Sequence, residues 1–126
     1  SSYRLGADGA ATVVSAAVPS GQSAACWVTS TRDGRFAFVS NTASGNLSTY
    51  RIDGASVRLT AAIAASTGNG SGPTDMALDR HGRFLYTLDP RNGNLVAMRV
   101  DANGALTTIE TEAAGLQRFA TGLVAR

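Results

Sequence analysis

Apolar and polar residues alternate in short segments along the chain, and glycine-containing turns separate the segments. Three such segments follow one another between Arg83 and Thr111. In the first of them, Phe84 and Tyr86 fall on one side and Leu85 and Thr87 on the other. A period of two is typical of β-strands, and two fairly apolar sides are typical of a sheet that is covered on both faces. The pattern predicts an all-β fold of short strands.

One stretch of the sequence is repeated without a gap. DGRFAFVSNTASGNLSTYRID, at Asp33–Asp53, aligns with HGRFLYTLDPRNGNLVAMRVD, at His81–Asp101, 48 residues later. Weaker matches continue the register at residues 5–14 and 120–125. Four short strands in each unit of this length predict a β-propeller, whose blades are four-stranded antiparallel sheets. A β-sandwich is the alternative, but sandwich strands rarely repeat this closely.

The repeat register divides the chain into blades, each with strands a to d from the propeller axis outwards. We predict one propeller portion with strands c and d of a preceding blade, two full blades and strand a of a further blade, at residues 3–18, 24–65, 73–112 and 118–126. Turns such as Asn103-Gly104 place glycine where a tight hairpin needs positive φ. The predicted fold class is therefore an all-β propeller portion with partial blades at both ends.

Composition narrows the range of partners. Charged residues make up only 16% of the chain, and all eleven basic residues are arginines spread without a basic run, so we expect no nucleic-acid partner. No apolar run predicts a membrane span, so we expect no membrane partner, and the compartment stays open between cytoplasm, periplasm and secretion. Cys26 and His81 are the single cysteine and histidine, so we expect no disulfide, no metal site and no cofactor.

The stretch ACWVTSTRDGRFAFVSNTASGNLSTYRID, and its DGRF hairpin above all, resembles the lactonase family of seven-bladed propellers, which includes 6-phosphogluconolactonases and carboxymuconate lactonizing enzymes. The closing ATGLVAR is similar to the ending of many members and implies a C-terminal portion. The resemblance implies a lactonase or lactonizing enzyme that acts on a sugar lactone or related cyclic ester at the central channel. A non-catalytic propeller scaffold that binds a ligand or a protein is the alternative.

Two blades cannot close a ring, and terminal blades would expose apolar faces and open edges. We therefore expect either the remaining propeller blades or a homo-oligomeric partner to complete the structure. In the second case residues 3–14 of one copy would meet residues 119–126 of another.

The catalytic candidates lie on the face formed by the d-to-a and b-to-c loops. Asp75 opens an inner strand, where its carboxylate would act as a base or, alternatively, order its own loop. Arg118 lies in the last d-to-a loop and would hold a phosphate or carboxylate, or else face the solvent. Opening a lactone needs an activated water and a stabilised oxyanion, which are the roles available to these two residues.

Four further residues on this face are candidates for ligand binding. Cys26 and Thr74 are repeat equivalents at the mouths of two inner strands; the thiol is a nucleophile only beside a cation, and otherwise a small buried side chain. Trp27 would stack on a sugar ring or fill a blade interface. Asp89 begins a b-to-c loop. His81 lies in a turn on the opposite face, so we do not expect it to be catalytic.

Overall fold

The computed structural model describes residues 1–126 and contains ten β-strands and no helix. The strands, in chain order, are β1 (Ser2–Leu5), β2 (Ala11–Ser15), β3 (Ala25–Ser30), β4 (Phe36–Asn41), β5 (Asn46–Asp53), β6 (Ser56–Ser66), β7 (Met76–Leu78), β8 (Phe84–Asp89), β9 (Asn94–Val100) and β10 (Leu106–Ala113). The structure therefore has no helix that could cross a membrane.

The strands form one hairpin and two four-stranded antiparallel sheets. β1 pairs with β2, β3 to β6 form the first sheet, and β7 to β10 form the second, each in sequence order. The two sheets share a register, since Phe36 lies opposite Arg51 in the first and Phe84 lies opposite Arg99 in the second. The sheets are two blades, and the predicted all-β propeller fold is confirmed.

The inner strands are the least regular parts of the blades. β7 has only three residues, and residues 118–126 form no β-strand. Instead, the segment is held beside β7, where Thr74 Oγ1 donates to the carbonyl of Ala120 over 3.2 Å. A β-strand needs a hydrogen-bonding neighbour, and within this chain no strand b follows residues 118–126. Their assignment as an inner strand of a further blade stays a prediction.

The hydrophobic core lies between the two blades. Inner strand β3 contacts inner strand β7, and outer strand β6 contacts outer strand β10. Eight buried apolar side chains from both sheets form one cluster: Phe36, Phe38, Leu47, Met76, Leu85, Val96, Met98 and Leu106. Each fully buried side chain of this size contributes about 1.5–3 kcal/mol through the hydrophobic effect. Stacking of the blades is therefore the main source of stability within this chain.

The face of the first blade that points away from the second blade is open. Val28 of β3 is 68% exposed, and beside it lies a largely apolar groove of about 620 Å³ between the first blade and the β1–β2 hairpin. The hairpin is attached to this blade mainly by polar contacts, such as Val57 N donating to Ser15 Oγ over 3.0 Å. If the hairpin is strands c and d of a preceding blade, as the repeat register predicts, strands a and b of that blade would fill this groove.

The c-to-d turn of the second blade packs tightly on the first blade. Gly104 has φ of +80°, and a Cβ at this position would lie 2.4 Å from the ring of Phe36. Gly9 occupies the equivalent turn of the β1–β2 hairpin with φ of +81°, but a Cβ there would meet nothing within 4 Å. Only one of these two glycines is therefore required for packing between blades.

We expect Gly104→Ala to destabilise the protein more than Gly9→Ala. Both variants carry a left-handed backbone cost of about 1 kcal/mol. Gly104→Ala adds overpacking against Phe36, which typically costs about 1–3 kcal/mol. Urea denaturation of the intact protein measures the difference in the free energy of unfolding, and equal losses in the two variants would contradict this packing role.

Three backbone amides surround the carboxylate of Asp79 at the β7–β8 turn. Its Oδ1 accepts hydrogen bonds from the amides of Arg83 and Phe84 at 2.6 and 2.9 Å, and its Oδ2 accepts one from His81 at 3.2 Å. Partial desolvation raises the pKa of Asp79, but these donors outweigh it and leave the pKa below its ordinary value. The ionised carboxylate therefore stabilises the turn.

We expect Asp79→Asn to lower stability near neutral pH but not in strong acid. A lowered folded-state pKa means that the stabilisation is present above the unfolded-state pKa of about 3.9 and is lost as the pH falls through the folded value. The free energies of unfolding of the variant and the parent should therefore differ at pH about 6 and converge at pH about 2. Glu112→Gln, at the exposed end of β10, is the control; a gap that persists at low pH would contradict the assignment.

Candidate functional site

Five loops lie together at one end of the strands and form what we call the loop face. They connect strand d of one blade to strand a of the next, or strand b to strand c, and comprise residues 16–24, 42–45, 67–75, 90–93 and 114–118. The opposite end carries the a-to-b and c-to-d turns. The sequence-derived candidates for catalysis and ligand binding lie on or beside the loop face.

The loop at residues 67–75 is pinned to the first blade. Thr42 Oγ1 donates to the carbonyl of Pro73 over 2.7 Å, and the carbonyl of Gly45 accepts from the amide and hydroxyl of Thr67 at 3.1 and 3.0 Å. Gly45 has φ of +66°, and a Cβ there would lie 2.7 Å from Ser71 Oγ. Glycine at this position is therefore required both by the turn and by the close approach of the loop.

Asp89 pins the same loop to the second blade. Its fully buried carboxylate accepts through Oδ1 from the amide of Gly72 at 2.8 Å, and Oδ2 has no hydrogen-bond partner. The equivalent residue in the first blade is Asn41, whose Nδ2 donates to Asn46 Oδ1 and Ser48 Oγ at 2.8 Å each. Asp89, predicted to bind ligand, is placed under the loop, where its contacts are those of a residue that positions Gly72.

A small cavity opens on the loop face between the two blades and the C-terminal segment. Its volume is about 100 Å³, and it is lined by Thr42, Gly72, Thr74, Pro90, Arg91, Arg118 and Phe119. Two predicted site residues, Thr74 and Arg118, therefore meet there. The sequence reasoning missed Arg91, although Arg91 lies in a b-to-c loop of the face that it singled out. The repeat could have revealed it: Ala43 occupies the equivalent position of the first blade, so an arginine is not a requirement of the repeat there.

The polar groups that line this cavity are mainly cationic. Arg91 Nη1 donates to the carbonyl of Ser71 over 3.2 Å, and the guanidinium of Arg118 lies 5.8 Å from the centre of the Phe119 ring. Neither arginine is paired with a carboxylate. Four other arginines lie within 4 Å of an aspartate on the opposite face of the molecule: Arg35, Arg51, Arg58 and Arg99. The cavity is therefore suited to an anion.

Asp75 lies outside the cavity lining, and backbone amides surround its carboxylate. Oδ1 accepts from Met76 N at 2.8 Å, and Oδ2 accepts from Gly122 N at 2.9 Å and Leu123 N at 3.0 Å. Both oxygens of this carboxylate are therefore already engaged by the backbone. These contacts favour the loop-ordering alternative, in which Asp75 anchors the C-terminal segment, and its role as a base stays a prediction.

The two remaining candidates, Cys26 and Trp27, lie on β3, the inner strand of the first blade. Trp27 is half-buried and packs against the hydrophobic cluster between the blades, which favours interface filling over stacking on a ligand. Cys26 is exposed, so the expectation of a buried side chain is wrong. The reason is its place on β3, the edge strand of its sheet, beside the uncovered face of the blade.

The remaining side chains that could act in catalysis or bind a metal do not lie close together. His81 lies in the turn between β7 and β8, where its Nε2 accepts from Arg80 Nε at 2.8 Å. No group of three or more His, Cys, Asp or Glu side chains lies close enough together to hold a metal ion. The loop-face cavity is therefore the feature on which a functional proposal can be based.

We expect Asp75→Ala to release the C-terminal segment without unfolding the blades. Loss of the two hydrogen bonds to Oδ2 should accelerate amide hydrogen exchange at Gly122 and Leu123 by at least about tenfold, since bonds to a charged group contribute about 1.5–3 kcal/mol each. Hydrogen exchange followed by mass spectrometry measures this effect. Asp33→Ala, in a turn on the opposite face, is the matched control, and unchanged exchange in Asp75→Ala would contradict the anchoring role.

Comparison with solved structures agrees with the fold. A protein of unknown function from Desulfotomaculum acetoxidans superposes with a TM-score of 0.79 at 23% identity, over 91% of this chain and 35% of that one. The periplasmic gluconolactonase of Pseudomonas aeruginosa gives a TM-score of 0.59 at 27% identity, over 69% of this chain and 26% of its own. A candidate 6-phosphogluconolactonase from Bacteroides fragilis gives 0.65 at 26% identity, over 72% and 26%.

The chain thus spans about a quarter to a third of the length of these structures. No curated protein matches the sequence significantly. The sequence model of the family described as "Lactonase, 7-bladed beta-propeller" matches residues 8–118, which is most of the chain. With two blades of the expected register and a family match over this range, the chain belongs to the lactonase family of seven-bladed β-propellers.

Proposed function

We propose that this chain is part of a propeller that acts on a sugar lactone, and that its loop-face cavity binds the substrate. The observation that carries the proposal is the pair of guanidinium groups, from Arg91 and Arg118, that line one cavity without a carboxylate partner. The names of two similar structures, a gluconolactonase and a candidate 6-phosphogluconolactonase, support a sugar lactone as the substrate class.

The proposed reaction is hydrolysis of the cyclic ester. Water adds to the carbonyl carbon, the bond from that carbon to the ring oxygen breaks, and the ring oxygen takes up a proton to give an open hydroxy acid. This requires a base for the water and donors for the developing oxyanion. No carboxylate or imidazole lines the cavity. In this proposal the chain binds the substrate, and channel-facing residues of other blades supply the base and complete the site.

A non-catalytic ligand-binding propeller is the second candidate function. The same observation favours it, since the cavity lining contains donors for an anion but no residue suited to proton transfer. Asp75 and Asp89, the two acids predicted for this face, are both engaged by backbone amides. Turnover by the intact protein separates the two functions.

We expect Arg118→Ala to raise the KM for the preferred sugar lactone about tenfold, with a smaller effect on kcat, since the residue binds rather than reacts. Assays should use the intact protein that contains this chain, with neutral and phosphorylated gluconolactones. Arg32→Ala, an exposed arginine on the opposite face, is the matched control. The 126-residue chain alone should give no turnover. Absence of turnover of every lactone by the intact protein would overturn the enzymatic proposal in favour of the binding one.

A further inference from the structure

We propose that the face opposite the loop face binds an acidic peptide segment of a partner protein, in a groove that runs along the seam between the two blades. This face, which we call the turn face, carries the a-to-b and c-to-d turns. The surface is separate from the loop-face cavity, so the proposal does not depend on the proposed function.

Two adjoining depressions form this site, which we call the seam groove. The outer one has a volume of about 490 Å³ and lies between the two a-to-b turns and the c-to-d turn of the second blade. The inner one has about 470 Å³ and lies between β3, β7 and the C-terminal segment. Arg32 and Gly82 line both, so the two are continuous. An elongated groove of this kind fits an extended chain better than a compact ligand.

The arginines of the seam groove favour an anionic partner. The repeat places two arginines in each a-to-b turn, Arg32 and Arg35 in the first blade and Arg80 and Arg83 in the second. Stacking of the blades brings all four to the seam groove. Of these four, only Arg35 forms an ion pair, at 2.7 Å from Asp33. The other three have no carboxylate partner within this chain.

The acidic side chains of the seam groove do not cancel this charge. Asp33 is paired with Arg35, and Asp101 lies 3.1 Å from Arg99. The carboxylate of Asp79 accepts hydrogen bonds from three backbone amides. The seam groove therefore keeps an excess of positive charge, which attracts acidic chains and repels basic ones.

Two of the unpaired arginines are held in place before a partner binds. Arg80 Nε donates to His81 Nε2 over 2.8 Å, and the guanidinium of Arg83 lies 5.8 Å from the centre of the Phe84 ring. The terminal nitrogens of both arginines remain available for carboxylate oxygens, which guanidinium groups bind through paired hydrogen bonds. A pre-positioned side chain loses less conformational entropy on binding.

The apolar inner part of the seam groove favours a peptide over a nucleic acid. Met76, Leu78 and Val124 line it, and Val124 is 75% exposed. The one aromatic residue of the lining, Phe36, is buried. Single-stranded nucleic acids need exposed aromatic side chains on which their bases stack. A peptide that carries several carboxylates and an apolar residue at one end matches both parts of the seam groove.

Binding of synthetic peptides to the intact protein that contains this chain tests the proposal. The probe is a fluorescein-labelled hexaglutamate with a leucine at each end, and the matched peptide has glutamines in place of the glutamates. Fluorescence anisotropy at low ionic strength should show at least about tenfold tighter binding of the glutamate probe, and added salt should weaken it. Hexaglutamate without leucines should bind at least about threefold more weakly than the probe, because it leaves the apolar part unfilled.

Replacement of the unpaired arginines should remove the preference. Arg80→Gln and Arg83→Gln should each weaken binding of the glutamate probe by about fivefold or more, and the double variant should bind it no better than the glutamine peptide. Arg58→Gln is the matched control, since it removes one exposed positive charge outside the seam groove, and it should bind as the parent. Circular dichroism of each variant checks that the fold is retained.

Equal affinities for the glutamate and glutamine peptides would overturn the proposal. An equal loss in Arg58→Gln and in Arg80→Gln would also overturn it, because the attraction would then be a general effect of net charge. A labelled oligothymidylate of the same charge should bind more weakly than the glutamate probe. Tighter binding of the oligothymidylate, lost in the same arginine variants, would assign the seam groove to a nucleic acid and contradict the peptide.

Discussion

Face-to-face packing of two four-stranded sheets is the interaction on which the rest of this structure depends. Neither sheet has a core of its own, and the side chains that exclude water most completely, such as Phe38, Leu85 and Met98, belong to one cluster between the blades. Close contact extends to the turns, where Gly104 of the second blade allows its backbone to meet the ring of Phe36. Such packing fixes the distance and angle between blades, because a close-packed interface allows few alternatives.

The candidate site is a consequence of that stacking. The loop at residues 67–75 connects the two blades and is bound to both, through Thr42 on one side and Asp89 on the other. It therefore places Gly72 and its neighbours at the seam, where arginines from two later loops lie around one cavity. The site is formed between repeats, and no single blade contains it.

The open faces show what a complete ring must supply. In both full blades strand b lies between strands a and c. A homo-oligomeric partner that joined residues 119–126 of one copy to the β1–β2 hairpin of another would provide strands a, c and d but no strand b. Remaining blades of the same propeller would provide both missing strands beside Val28, and the choice between these two ways of completing the ring stays a prediction.

The sequence by itself determined the fold class, the repeat register and the approximate strand positions. The alternation of apolar and polar residues, the turn glycines and the gapless 48-residue repeat indicate which residues pair within a blade. It also indicated the face on which the cavity opens and two of the residues that line it, Thr74 and Arg118. The tertiary structure decided which side chains meet across the seam. It tied Asp75 to Gly122 and added Arg91 to the cavity, because contacts between blades depend on how the sheets stack, and no periodicity within one strand encodes that geometry.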